Sequence, residues 1–367
     1  MSRLGKTKVR LQALRRKFVA LVEAARAKVP RFPGVRARRA TRLREVRVFG
    51  QNPGNLRMLA YVPKRLPRLA PLVVVLHGGG QTADEYDQGT GWSSLADRLG
   101  FAVVYPEQQP ANNPMKCFSW FLPDHVGRGG GEAHSIQQMV EHAVAAFGAD
   151  RGSVFVTGFS AGGAMAAVML ATYPEVFAGG AIIAGLPYGC ARTEQEAFEA
   201  MFTERSSAAP ALGDRVRQVS GHPGPWPKIS IWHGTADPIV KPCNCEDSIR
   251  QWADLHGVSA DPSYEESIGS HSRRVWHDAD GNTLIEAISL SEMAHGVPLG
   301  SAMGKESCGA VGTFFLDAGI SSTHHIANFW WPREARQGMP LRRRRTLTPA
   351  WLEAAVHAGA AERRART

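Results

Sequence analysis

Six short runs, at residues 72–76, 101–105, 154–157, 181–184, 229–232 and 284–290, are apolar and β-rich along almost their whole length, and each gives way to polar turn residues. A strand with no polar face cannot lie against water on either side, so such runs demand cover above and below. Helical patterns over 92–99, 134–147, 161–172, 245–256 and 325–331 supply that cover. The alternation predicts an α/β fold with a mostly parallel sheet flanked by helices. A pair of runs at 44–49 and 56–62, joined across Asn52-Pro53-Gly54-Asn55, reads as an antiparallel hairpin that opens the domain. With 44% hydrophobic and 21% charged residues over 367, the chain can bury a large core, which excludes a fully disordered chain.

The net charge of +10 lies in the ends. Residues 1–47 hold 16 Lys/Arg against 2 Asp/Glu, and residues 331–367 hold 9 against 3, so the stretch between is acidic. The expected organisation is a basic arm over 1–43, an enzyme-sized domain over 44–331 and a basic tail over 332–367. Leu11, Leu14, Phe18, Val22 and Ala25 recur at helical steps among Arg and Lys, which predicts a basic amphipathic helix over 8–29. The arms read either as solvated tails or as contacts to a polyanionic surface or granule, and no specific nucleic acid is expected. No apolar run is long enough to span a membrane, and no secretory signal is legible at the N-terminus, so the sequence as written reads as cytoplasmic. Five cysteines fit neither a paired zinc knuckle nor a disulfide scaffold. Cys243 and Cys245 are too close to pair comfortably.

Gly158-Phe159-Ser160-Ala161-Gly162 follows the run 154–157 and opens the helix 161–172. A sharp strand-to-helix turn exposes its central serine, and side chains two residues to either side would meet backbone, which glycine avoids. Ser160 is therefore the candidate nucleophile. A serine hydroxyl needs a base. Asp237 lies in the loop after 229–232, within His233-Gly234-Thr235-Ala236-Asp237-Pro238, and His295 in the loop after 284–290, within Met293-Ala294-His295-Gly296. Their order after the serine suits an orienting acid and a general base. Asp278 or Asp280, and His271 or His277, are rivals placed in a polar hairpin before the last sheet run.

An acyl-transfer site also needs amide donors for a developing oxyanion. Leu76-His77-Gly78-Gly79-Gly80-Gln81 follows the first sheet run, and it offers Gly79, with Gly80 as runner-up. Ala161 offers the second N–H. His77 reads as a residue that braces this loop. Trp120, in Cys117-Phe118-Ser119-Trp120-Phe121, reads either as lining an acyl or aryl pocket or as packing its loop. Gly127-Arg128-Gly129-Gly130-Gly131 lacks the Gly-Lys-Ser/Thr of a phosphate loop, and Cys243-Asn244-Cys245 lacks spaced metal partners. Residues 193–227, rich in Glu, Ser, Ala and Pro, read as either a cap over the site or a surface excursion.

Taken together, the 76–81 segment, Cys117-x-x-Trp120, Gly131-Glu132-Ala133-x-Ser135-Ile136, the Ser160 elbow, Tyr173-Pro174-x-x-Phe177-Ala178-Gly179 and the Asp237 and His295 loops resemble the esterase family of poly(3-hydroxybutyrate) depolymerases over most of 44–331. The resemblance implies an α/β-hydrolase with Ser160, Asp237 and His295 as its triad, without metal or cofactor. It implies action on a 3-hydroxybutyrate-type polyester or its oligomers, with feruloyl or acetylxylan esters as the alternative. A surface-binding protein acting through its basic arms is the alternative of another class. The family likeness also suggests that Cys117 and Cys190 could pair. Gly79-Gly80 stands where many members carry a cysteine, and Val297 where an aromatic is common.

Overall fold

The computed structural model describes residues 3–27, 41–204, 207–300 and 308–331. Helix α1 (Arg3–Ala27) comes first, then the hairpin β1 (Arg44–Val46) and β2 (Arg57–Tyr61). The α/β alternation follows with β3 (Ala70–Leu76), α2 (Ala83–Thr90), α3 (Trp92–Leu99), β4 (Ala102–Glu107), α4 (Pro123–Val126), α5 (Gly131–Phe147), β5 (Ala149–Phe159), α6 (Ala161–Thr172) and β6 (Gly179–Ile183). After α7 (Glu194–Phe202) and α8 (Ala209–Ser220) come β7 (Lys228–Gly234), α9 (Cys243–His256), β8 (Tyr264–Ile268), β9 (His271–His277) and β10 (Thr283–Leu290). The short strands β11 (Val297–Leu299) and β12 (Phe315–Asp317) precede α10 (Ser322–Trp330).

Ten strands form one sheet in the order β1-β2-β4-β3-β5-β6-β7-β10-β9-β8. The block from β4 to β10 is parallel, and the antiparallel pairs lie at the two edges. All residues of β3, β4 and β6 are buried, as strands covered on both faces require. All six apolar runs are sheet strands. Every residue of α6 is buried as well, because this Ala- and Gly-rich helix packs close against β5 and β6.

Four helices, α2, α4, α7 and α8, fall outside the helical patterns of the sequence. The signal for α2 was a capping box, with Thr82 accepting from Glu85 N and Glu85 reaching back to Thr82 N. The segment 193–227 folds as α7 and α8, with Thr193 capping the first and accepting from Glu196 N. Helix α1 is not a free tail within its described length. Its stripe of Leu14, Phe18, Leu21, Val22 and Ala25 packs against the core, Phe18 meets Phe198 at 5.7 Å, Arg15 Nε donates to Glu194 at 2.7 Å, and Arg10 pairs with Glu199 at 2.9 Å. The basic tail assigned to 332–367, and most of 28–43, lie outside the described residues.

Among the described residues no cysteine is joined in a disulfide. The pairing of Cys117 with Cys190 implied by the family likeness is therefore absent here. The Cys117 sulfur instead lies against the Gly79 backbone, 2.5 Å from where a side chain on Gly79 would begin.

Candidate active site

Strand β5 carries the chain to Ser160 and α6 carries it away, and the turn leaves Ser160 at φ 55°, ψ −117°. A non-glycine residue there holds on the order of 1–3 kcal/mol of backbone strain. The two glycines have steric reasons. A Cβ on Gly158 would overlap the carbonyl oxygen of Gly162, and one on Gly162 would overlap Leu76 O and lie 2.5 Å from His77 O. Leu76 is the last residue of β3, in register with Gly158 of β5. The loop after β3 is thereby pressed against the start of α6. Ser160 N donates to Ile183 O of β6 at 2.9 Å, which fixes the elbow to the next strand.

Asp237 and His295 arrive from neighbouring parallel strands, β7 and β10, whose ends are in register at Gly234 and Leu290. Cross-ties hold their loops together. Thr235 N donates to Leu290 O at 2.9 Å, Ala236 N to Met293 O at 3.1 Å, and Glu292 N to Thr235 Oγ1 at 2.9 Å. His295 Nδ1 lies 2.6 Å from Asp237 Oδ2, and Nε2 lies 2.9 Å from Ser160 Oγ. A carboxylate only accepts, so Nδ1 carries the proton, and the Nε2 lone pair faces the serine hydroxyl. Ser160, at 9% exposure, is the least covered of the three.

Burial alone would push the Asp237 carboxyl up. The charge of His295 and hydrogen bonds from His233 and His295 outweigh it and hold the group well below the usual carboxylate range. The other oxygen, Oδ1, accepts from Ile239 N at 2.8 Å and Val240 N at 2.9 Å. A carboxylate so bonded stays ionised and does not rotate. His233 is a functional contact that sequence reasoning named only as part of a motif. Its Nε2 lies 2.9 Å from Val240 O and 3.4 Å from Asp237 Oδ2. Phe314 was missed entirely. Its ring and that of Phe159 lie 5.9 and 4.7 Å from the His295 ring and wall it on two sides, although no local motif marks Phe314.

Of the two oxyanion candidates after β3, Gly80 is committed elsewhere, because its N–H donates to Met115 O at 2.7 Å. The Gly79 N–H has no partner among the described residues, and neither has that of Ala161, the first residue of α6. Trp120 is buried at 8% exposure with its ring edge-on to Phe121 at 5.2 Å, so packing of the 117–121 loop is what its contacts display. The rivals stand apart from the triad. His271 Nε2 is 2.8 Å from Ala318 O, and Asp278 closes its own turn by accepting from Asp280 N and Asn282 N. A cavity of about 660 Å³ opens at the acid loop, lined by Glu204, Thr235, Lys241 and Cys243 together with Asp237.

A hydroxyl, an imidazole and a buried carboxylate in series, beside two unpaired amides, can perform acyl transfer on a carbonyl. Known proteins agree. The family model "Esterase PHB depolymerase" matches residues 58–276. The chain is 44% identical over 289 residues, 78% of its length and 70% of the relative's, to poly(3-hydroxyalkanoate) depolymerase C of Paucimonas lemoignei. It is 35% identical to an acetylxylan esterase of Coprinopsis cinerea, covering 71% of this chain and 70% of that one. Among solved structures, an acetyl xylan esterase from Aspergillus awamori superposes with a TM-score of 0.64 at 28% identity, covering 69% of this chain and 93% of that one. The sheet order, the elbow and these matches lead to one conclusion: the chain is a carboxylic ester hydrolase of α/β-hydrolase fold and belongs to the PHB depolymerase esterase family.

Proposed function

We propose that the protein hydrolyses a 3-hydroxyalkanoate-type polyester, or oligomers of it, through an ester of Ser160. The observation that carries this substrate class is the 44% identity to a depolymerase of that polymer over most of both chains. In this reading Ser160 Oγ attacks the ester carbonyl as His295 Nε2 takes its proton, and Asp237 holds the imidazolium that results. The oxyanion accepts from Gly79 N–H and Ala161 N–H. As the tetrahedral intermediate collapses, the bond to the alcohol oxygen breaks, and His295 returns the proton to that oxygen. Water then gives a proton to His295 and attacks the acyl carbon, and Ser160 Oγ leaves with that proton.

The test compares kcat/KM on hydroxybutyrate oligomers, amorphous polymer, methyl ferulate and acetylated xylan. Oligomers or amorphous polymer turned over at least about tenfold faster than methyl ferulate and acetylated xylan support the assignment. The reverse ranking overturns it. The structural likeness to an acetyl xylan esterase favours acetyl esters as the second reading, and the same panel separates the two.

A contact between the basic arms and a polyanionic or granule surface belongs to this proposal as well. Within α1, Arg10, Arg15 and Lys17 already face Glu199, Glu194 and the Phe202 ring, so the charge left for a surface comes from the other basic positions. Removing residues 1–40 should reduce co-sedimentation with anionic particles and leave turnover of small esters in place. Unchanged sedimentation rejects the anchor.

A further inference from the structure

One peptide group decides where the Gly79 N–H points. The Gly78 carbonyl and the Gly79 N–H belong to the same trans peptide unit, since the Gly224–Pro225 bond is the only cis bond among the described residues. In a planar trans unit the C=O and N–H point in opposite directions, so whatever grips the Gly78 oxygen also aims the Gly79 hydrogen. His77 grips it. His77 Nδ1 lies 2.8 Å from Gly78 O, and His77 Nε2 lies 3.0 Å from Gln108 N. A backbone N–H can only donate, so Nε2 must accept. The ring is then a neutral imidazole with its hydrogen on Nδ1, and that hydrogen is donated to Gly78 O. The amides on either side are committed, Gly78 N to Gln81 Oε1 at 2.8 Å and Gly80 N to Met115 O at 2.7 Å.

The lock on His77 is itself held by a buried carboxylate. Glu132, fully buried in the first turn of α5, accepts from Gln108 Nε2 at 2.7 Å through one oxygen and from Ser119 N at 2.7 Å through the other. Gln108 Nε2 also reaches Cys117 O at 3.2 Å. Next to Ser119, Phe118 lays its ring against His77 at 4.9 Å. Glu132 therefore reaches the imidazole by a polar route through Gln108 and an apolar route through Phe118.

We propose that His77 is a positioning residue for the oxyanion donor, acting as a tautomer-locked clamp on the Gly78–Gly79 peptide, and that Glu132 and Gln108 keep the lock. In this role His77, Glu132 and Gln108 act through the Gly78–Gly79 peptide rather than by contact with substrate. The inference rests on the reading of Ser160 as nucleophile and Gly79 as donor.

The clamp should be visible without any substitution. In protein labelled with ¹⁵N-histidine, the His77 ring should give the signature of a neutral imidazole protonated on Nδ1, and protonation on Nε2 would overturn the proposal. In kinetics on p-nitrophenyl butyrate, His77→Ala should lower kcat by about 10²–10³-fold, the cost of losing one oxyanion donor, with KM within about threefold. His77→Asn retains a side-chain donor near the Nδ1 position and should recover at least about tenfold of that loss. Glu132→Gln puts an amide hydrogen opposite either Ser119 N or Gln108 Nε2 and should lower kcat about tenfold at unchanged KM. If His77→Ala does not fold, the ring signature and Glu132→Gln still decide. An unchanged kcat in Glu132→Gln, or an Asn variant no better than Ala, counts against the clamp. Ser160→Ala run in parallel separates the two readings: turnover surviving there defeats the nucleophile assignment, whereas a dead Ser160→Ala beside a fully active His77→Ala defeats only the clamp.

Discussion

Leu76 and Gly158 stand opposite each other at the ends of the parallel strands β3 and β5, and Gly162 of α6 lies against the Leu76 carbonyl. This one register brings the Gly79 amide and the Ala161 amide, 82 residues apart in sequence, to the same strand ends. Open α/β sheets bind their ligands there, outside the carboxyl ends of the strands.

Gly79 has no room for a side chain. A Cβ there would sit 2.5 Å from the Cys117 sulfur, while the Cys117 Cβ is 4.0 Å away. Gly79→Ala should therefore displace the loop and lower kcat by about 10²-fold. Adding Cys117→Ala should restore most of it, because only the sulfur obstructs. Steady-state kinetics of the double-substitution cycle measure this, and an additive cycle would show that the clash is not the cause.

Strain at the elbow predicts a trade between stability and activity. Ser160→Gly relieves a positive φ of 55° and should raise stability by roughly 1–2 kcal/mol while abolishing turnover. Ser160→Ala removes the hydroxyl but keeps the strained backbone, so its melting temperature should stay near that of the native protein. Thermal unfolding of both variants is the check. Equal melting temperatures would argue that the turn stores no strain.

Asp237→Asn should lower kcat by about 10⁴-fold with little change in fold. An amide in that place can present its NH₂ to His295 Nδ1, which favours the tautomer with hydrogen on Nε2 and removes the base that Ser160 needs. Turnover within tenfold of native would show that the acid lies elsewhere.

Two buried histidines set an acid limit. Burial pushes His77 and His256 down to about 4, against the partial support of hydrogen bonds to Gly78 O and Pro227 O. Between pH about 6.5 and 4 the unfolded chain binds protons on these rings that the folded chain does not, so stability falls as pH falls through that window. Below about 4 the rings add no further loss. Each contributes up to roughly 3 kcal/mol. Urea midpoints at pH 7, 6 and 5 should drop in sequence, and His256→Asn should flatten the slope by about one proton. A slope unchanged by that substitution would exclude His256 as a source.

Docking of α1 on α7 should be driven by its apolar stripe more than by its ion pairs. The Arg15–Glu194 pair is exposed, and such pairs contribute about 0–1 kcal/mol. Arg15→Ala should change hydrogen exchange in α1 by no more than a few-fold. Phe18→Asp should remove its protection altogether, since a carboxylate cannot replace the ring against Phe198. Full protection in Phe18→Asp would mean that the helix is held some other way.

The sequence by itself determined the sheet, because a strand apolar on both faces has one environment open to it, and it determined the sharp turn at Ser160, because Gly158 and Gly162 answer a local steric demand of that turn. It ordered Asp237 and His295 along the chain and placed each just past a strand. Helices α2 and α7 are marked by their capping threonines, Thr82 and Thr193, which a search for apolar periodicity passes over. Tertiary structure alone decided that Gly80 is committed to Met115 and Gly79 is not, that His233 shares in holding Asp237, and that Phe314 walls the imidazole. Those outcomes depend on hydrogen-bond partners and ring contacts contributed by residues tens of positions away. Such partners leave no mark in a local pattern, and they exist only once the strands have set their register.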